Sequence, residues 1–229
     1  MRNGIVVIGG GGHAKVCVEL LRAMGEIVDY CIGGEDSADA CAGVPVLKGD
    51  EHIERLREIG YQEAFVAIGC NRLRERLAAL AVGQGYRLVN AVSPGASISP
   101  SARLGLGVAI MAGVVINADA TISDLAIINT GATIDHDCHI GRAAHIAPQC
   151  GLAGNVTVGA GSFLGIGCKV IPGLSIGEHA TLGAGSVVIS HIPASVIAVG
   201  VPAGIIKSKH PLGGKDEAHL RGTTETGGQ

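Results

Sequence analysis

The stretch Ile128-Asn129-Thr130-Gly131-Ala132-Thr133-Ile134-Asp135-His136-Asp137-Cys138-His139-Ile140 carries an isoleucine at every sixth position. The interval continues both ways. Ile98, Leu104, Ile110, Ile116 and Ile122 precede it, and Ile146, Leu152, Val158, Leu164, Val170, Ile176, Leu182 and Val188 follow without an insertion. Neither the 3.6-residue period of a helix nor the two-residue period of a strand fits this spacing. It is an internal repeat, and it fixes the architecture of the second half. Four residues after each aliphatic sits a second, mostly small residue, such as Ala102, Ala126, Ala132, Cys138, Ala144 or Cys150. Glycine often follows the aliphatic directly, as at Gly105, Gly141, Gly165 and Gly183, and is expected there because it tolerates corner conformations. Each hexad thus supplies one short flat strand and one corner, and three hexads close one coil of a triangular prism. Stacked at about 4.8 Å per coil, the series makes a rod roughly 25 Å long. The aliphatic side chains point inward and stack on their counterparts one coil away.

This pattern resembles the left-handed parallel β-helix of the hexapeptide-repeat acyltransferases. The handedness follows from that resemblance, because general crossover rules favour the opposite hand.

Residues 1–92 read differently. Gly4 to Ile8 is a buried strand, Gly9-Gly10-Gly11-Gly12-His13 a glycine-rich turn, and Ala14 to Met24 a helix with Val16, Leu20 and Leu21 on one face. Strands over Ile27–Ile32, Ala64–Ile68 and Arg87–Ala91, and helices over Glu51–Ile59 and Asn71–Val82, complete an alternating pattern. Alternation implies a small, parallel, Rossmann-like α/β sheet. Ser93-Pro94-Gly95 marks the join to the prism. The expected organisation is an α/β nucleotide-sugar-binding domain over 1–92, a β-helix over 98–207 and a disordered polar tail over 208–229.

Composition agrees. The chain has 37 glycines in 229 residues and no Trp, yet 47% of its residues are apolar. Small aliphatic mass with many glycines argues against disorder and against a helical bundle. No apolar run approaches the roughly 18 residues of a membrane span. The N-terminus does not resemble a signal peptide. A net charge of −3 gives no general attraction to nucleic acid. Seven cysteines without CxxC spacing read as small buried hydrophobes in a reducing cytoplasm.

The glycine turn entering a helix favours a phosphate, from a nucleotide-sugar diphosphate or from NAD. Against NAD, Gly33-Gly34 occupy the end of the second strand, where an acidic residue is expected, and Glu35-Asp36 lie beyond. Ala67-Ile68-Gly69-Cys70-Asn71 falls on the usual ligand side of such a sheet. Arg74 reads either as a phosphate-neutralising group or as a solvated surface arginine. In the prism, His136 lies two residues after an inward isoleucine, hence near an exposed corner, with carboxylates on both sides. Asp137 would hold its imidazole in one tautomer and raise its basicity. Gly154 lies one coil away, leaving space and a bare N–H for a developing oxyanion. His145 is half a coil from His136, so the two meet only across subunits of a symmetric oligomer, most simply a trimer. His136, His139, His145, His179 and His191 are too scattered for a metal site within one chain, although zinc between subunits, as in gamma-type carbonic anhydrases, stays open.

Taken in order, Gly9-Gly10-Gly11-Gly12-His13-Ala14-Lys15, Ala67-Ile68-Gly69-Cys70-Asn71, Ile134-Asp135-His136-Asp137, Ala153-Gly154-Asn155 and Gly200-Val201-Pro202-Ala203 resemble the NeuD/PglD-type sugar O- and N-acyltransferases. The resemblance implies a homotrimer that uses acetyl-CoA, without a metal, to acetylate a nucleotide-linked amino sugar. It implies His136 as general base and Asp137 as its supporting carboxylate. It places Asn129 near the sugar, and Gly11, Gly12, His13 and Gly69 at the nucleotide, with Asn71 beside them and Glu35 and Asp36 in place of an Asp-Asp pair. His145, Gly154, Ile166, Ala184, Gly200 and Pro202 would line the acetyl-CoA groove, with Lys207 and Lys209 within reach of its phosphates. Sugar O-acetylation of the sialic-acid type and non-catalytic nucleotide-sugar sensing remain alternatives.

Overall fold

A computed structural model describes residues 3–208. The tail expected over 208–229 lies outside it except for Ser208, as does Lys209. The N-terminal unit runs β1 (Ile5–Ile8), α1 (Gly12–Ala23), β2 (Val28–Gly33), β3 (Ala40–Cys41), β4 (Val44–Lys48), α2 (Glu51–Glu58), β5 (Glu63–Val66), α3 (Asn71–Gly83) and β6 (Arg87–Leu88). Its sheet has the order β3-β4-β2-β1-β5-β6. All pairings are parallel except β3 with β4. The chain reverses its direction of travel across the sheet at β1, so the loops after β1 and β5 flank a topological switch point. The short β3–β4 hairpin has no counterpart in the sequence reading, because Val44-Pro45-Val46 is too brief a signal for a strand. On α1, Ala14, Cys17, Val18, Leu20 and Leu21 are buried, whereas Val16, expected on that face, points to solvent.

The second half is the three-sided prism. One face stacks rungs from Ala91–Val92 through His145–Ile146 to Thr181–Leu182, and then takes Val196–Val199 and Gly204–Ser208. The second face runs from Ser97–Ile98 to Val187–Val188, the third from Arg103–Leu104 to Ser175–Ile176. Partners are 18 residues apart, as in Ile116↔Ile134 and Ile134↔Leu152. From Ile110 onward the inward aliphatics are sealed from water, as are Cys138, Cys150 and Cys168 at the small position, whereas Val92, Ile98 and Leu104 of the first coil are partly buried. The prism begins one hexad earlier than the sequence reading placed it. Arg87–Leu88 closes the α/β sheet, whereas Ala91–Val92 already pairs with Ala109–Ile110. Val92 is the sixth residue before Ile98 and obeys the same repeat.

The corners also differ from expectation. Positive φ falls on the third residue after each aliphatic, at every sixth position from Gly107 to Gly185. The glycines that directly follow an aliphatic answer a different need. A Cβ on Gly141 would stand 2.6 Å from the Ala160 nitrogen, in the backbone of the next coil. Close stacking of coils, and not backbone freedom, selects glycine there.

Two positive-φ corners carry apolar residues, Leu125 (60°) and Ala143 (52°). Such a conformation costs an L-residue roughly 1–2 kcal/mol. Both side chains are fully buried against Leu77, Ala78 and Leu88 of the α/β unit, and for Leu125 burial returns roughly 1.5–3 kcal/mol.

Gly141→Ala should lower the urea midpoint of unfolding by the equivalent of about 1–3 kcal/mol, as overpacking does. An unchanged midpoint would show that the coils can separate without loss.

Candidate active site

Helix α3 docks on the prism through its first turn. Arg74, only 1% exposed, donates from Nε to the Leu125 carbonyl (2.8 Å) and from Nη2 to the Ala143 carbonyl (2.8 Å). Its Nη1 donates to the carbonyls of Ile68 (2.8 Å) and Gly69 (3.1 Å), and Nη2 also reaches Asn71 Oδ1 (2.9 Å). Asn71 Nδ2 donates in turn to the carbonyls of Gly161 (2.9 Å) and Ser162 (3.1 Å). Leu125, Ala143 and Gly161 are the same corner on three successive coils. Arg74 is therefore neither a solvated arginine nor a group that touches a ligand: it is an internal clamp. Burial pulls its guanidinium down to about 10, so it stays charged at neutral pH.

The clamp positions a cleft at the carboxyl ends of β1 and β5. Gly11 and Gly12 are exposed at the start of α1, where a Cβ on either would meet open space. His13 follows, partly buried. Gly69 stands across from it at the start of α3. Beyond Gly33 the loop turns back, and Ser37 lies against Gly10 and Gly33, where a Cβ would collide with its hydroxyl. Glu35 and Asp36 are exposed on that loop. The prism supplies the floor. His145 is 8% exposed, its ring edge-on to Phe163 with centroids 5.2 Å apart. Its Nε2 lies 3.2 Å from Asn129 Nδ2. Its ring is buried against the Gly69 backbone, which favours the protonated form but is outweighed by burial. Burial first, then the Arg74 charge, lowers both His13 and His145 to about 4, so both are neutral near pH 7. The cleft thus joins Gly11, Gly12, His13, Gly69 and Asn71 to Asn129 and His145. His145 faces the α/β unit and not an open groove.

The second cluster lies on another edge of the prism. His136 stands on an exposed corner, and its Nδ1 is 2.8 Å from Asp137 Oδ2. A carboxylate only accepts, so Nδ1 carries the proton and Nε2 offers its lone pair. The Asp137 hydrogen bond, followed by the nearby Asp135 and Asp137 charges, raises the His136 pKa. Asp135 Oδ1 accepts from the His136 backbone N–H (2.8 Å) and from Asn117 Nδ2 (2.8 Å). Asn117 was not anticipated, although it sits one coil before Asp135 and the 18-residue rule points to it. Gly154 lies directly beside the imidazole: any Cβ there would collide with Nε2 and Cε1. The Gly154 N–H makes no backbone hydrogen bond among the described residues.

A third group runs along the edge between the first two faces. Ile166 and Ala184 are exposed and one coil apart. The segment from Gly200 to Ala203 joins their end of the edge, with the Val187 N–H donating to Gly200 O (3.0 Å) and the Ala203 N–H to Val187 O (2.8 Å). Lys207 lies in the last strand. His136 with Gly154 and Ile166 with Ala184 therefore occupy the two edges that bound the second face, separated by its width. Among the described residues no three His, Cys, Asp or Glu side chains converge as a metal site, and no helix is long and apolar enough to cross a membrane.

A hexapeptide prism with an exposed, carboxylate-backed histidine over a glycine is the architecture of an acyltransferase. Comparison with known proteins agrees. Residues 4–80 match the PglD N-terminal domain, and residues 155–190 match the bacterial transferase hexapeptide repeat, the repeat of the left-handed β-helix. The chain is 54% identical to PerB from Caulobacter crescentus, solved with CoA and GDP-perosamine, covering 90% of this chain and 99% of that one (TM-score 0.87). It is 33% identical to the acetyltransferase domain of PglB from Neisseria gonorrhoeae, solved with acetyl coenzyme A, covering 90% of this chain and all of that one (TM-score 0.83). Among curated sequences it matches the galactoside O-acetyltransferase of Escherichia coli, 38% identical over 52 residues, 23% of this chain. That match spans 26% of the relative, so the chain covers about a quarter of the curated relatives it matches. The chain belongs to the NeuD/PglD-type sugar acyltransferases.

The imidazole of His136, followed by NMR, should titrate above the ordinary histidine value of about 6.5. In Asp137→Asn it should move down towards that value, because the largest cause of the rise is removed. Equal titration in both proteins would refute the pairing.

Proposed function

We propose that this chain transfers an acetyl group from acetyl-CoA to the amine of a GDP-linked amino sugar of the perosamine, 4-amino-4,6-dideoxy, kind. The observation that carries this reading is the 54% identity, over 90% of the chain, to a protein captured with both CoA and GDP-perosamine. The chemistry of the clusters supports it. The α/β unit, which closes at Leu88, takes the nucleotide in the cleft of Gly11, Gly12, His13 and Gly69, with Glu35 and Asp36 on its rim and Asn129 near the sugar. The prism, to residue 207, takes acetyl-CoA along Ile166, Ala184, Gly200 and Pro202. His136 Nε2 removes a proton from the sugar amine as it attacks the thioester carbonyl, and Asp137 stabilises the imidazolium formed. The Gly154 N–H is available to the oxyanion of the tetrahedral intermediate. Collapse of that intermediate breaks the C–S bond and releases CoA as the thiol, with the proton passed on from His136. Two structures of the Caulobacter perosamine N-acetyltransferase carry single substitutions of one histidine, to asparagine and to alanine, in keeping with a central role for this residue type.

The working unit in this reading is a homotrimer. Within one chain the nucleotide cleft and His136 share no residue, and the cofactor edge lies a face-width from His136. A second copy, laying its cofactor edge against the His136 edge of the first, completes the site. Ile166, Ile171 and Ile189, 42–53% exposed beside the second face, suit such a contact.

His136→Ala should lower turnover about 10²–10⁴-fold with acetyl-CoA binding nearly intact, measured as thiol release with GDP-perosamine as acceptor. Near-wild-type turnover would remove His136 from the chemistry. Neutral His136 is the active form and its pKa is raised, so activity should climb with pH through that raised value. The acid limb of kcat/KM should shift to lower pH in Asp137→Asn. Acetylation of a sugar hydroxyl with no reaction at the amine would favour the O-transferase alternative.

A further inference from the structure

The clamp satisfies the hydrogen bonds of Arg74 without giving its charge a paired carboxylate. Every partner within hydrogen-bond distance is a carbonyl or amide oxygen. Among the described residues no carboxylate forms an ion pair with it; the Glu75 charge favours the cation from nearby, but its carboxylate reaches towards Arg142 at 3.7 Å. A fully buried guanidinium without a paired carboxylate is costly, and hydrogen bonding alone does not require the charge. The field of the cation reaches His13, at the start of α1, and His145, on the floor of the cleft. Two helix N-termini open on the same cleft. Neither α1 nor α3 has a side-chain cap or an acidic residue in its first turn, so their partial positive charges are also uncompensated. Three positive elements therefore converge at the switch point, and His13 and His145 beside them are neutral.

We propose that Arg74 is a positioning residue whose buried charge selects the diphosphate of the nucleotide-sugar without touching it, so that the bound diphosphate serves as the counter-ion the protein omits. The inference rests on the nucleotide-sugar reading and adds that the cleft discriminates ligands by charge. Arg74 holds the loop at Gly69 through its hydrogen bonds and attracts the ligand through its charge, and these two roles separate by substitution. Lysine keeps the charge and loses the fork, whereas methionine loses both.

The test is isothermal titration of the wild-type, Arg74→Lys and Arg74→Met full-length proteins with GDP, GMP and guanosine, and in parallel with UDP, UMP and uridine. The quantity read is the ratio of nucleoside to diphosphate dissociation constants. It should fall at least about tenfold in Arg74→Met and stay within about threefold of wild type in Arg74→Lys, even where all ligands bind more weakly. A purely structural role would weaken nucleoside, monophosphate and diphosphate alike in both variants and leave the ratio unchanged, overturning the proposal. If Arg74→Met does not fold, Arg74→Gln, which loses the charge and keeps an amide donor, replaces it: a ratio at least about tenfold below wild type supports the proposal, and an unchanged ratio overturns it. Wild-type binding of the uracil series alone would defeat the guanine reading and leave the Arg74 claim to be judged on that series. Binding of neither diphosphate would defeat both.

Discussion

Three carbonyls from one corner of three successive coils, received by two side chains in the first turn of α3, hold this molecule in its working shape. Leu125, Ala143 and Gly161 present them, and Arg74 and Asn71 take them. A prism and a Rossmann-like sheet have no geometric reason to meet at one angle. The clamp supplies that reason, because the fork of a guanidinium accepts only a narrow range of acceptor directions. Its other arm holds Ile68 and Gly69, so the loop expected to contact the nucleotide is registered against the rung that carries His145. Neighbouring apolar contacts through Leu125 and Ala143 exclude water from these bonds, which strengthens them.

The prism was legible to the residue because its rule is arithmetic. An aliphatic every sixth position gave the rungs, and the 18-residue coil put Gly154 beside His136. The same rule reaches further than it was first applied, to Val92 as the opening rung and to Asn117 beneath Asp135. The role of the corner glycines was read less well: a spacing says where a small residue sits, not whether φ or a neighbouring backbone demands it. The α/β elements were visible as hydrophobic runs, apart from the β3–β4 hairpin. Arg74 was the least legible residue. A single arginine in the first turn of a helix carries no mark that distinguishes solvent, ligand or the interior of the protein. Its burial depends on a surface more than fifty residues away in the chain.

The two clusters have opposite electrostatic designs, and each suits one half of a transfer reaction. The cleft beside α1 and α3 is desolvated, positive and lined by neutral imidazoles, conditions that favour an anion with hydrogen-bonding edges. The His136 corner is solvent-facing and acidic, which makes its imidazole more basic and steadies the imidazolium it becomes. The single chain keeps these environments apart, so the basic cleft does not depress the pKa of the base. Their separation is the reason the proposed reaction calls for a second copy to bring them together.

The proposed dependence on a second copy is most directly tested by complementation between two inactive variants. His136→Ala lacks the base, and Gly12→Asp would place a carboxylate in the open space before α1 and repel the diphosphate. Each alone should be nearly inactive. Unfolded together and refolded in equal amounts, they should recover about a quarter of wild-type activity, the share of interfaces that pair an intact cleft with an intact base. Mixed oligomers that assemble but show no activity above the separate variants would contradict the account, since each cleft would then serve the histidine of its own chain.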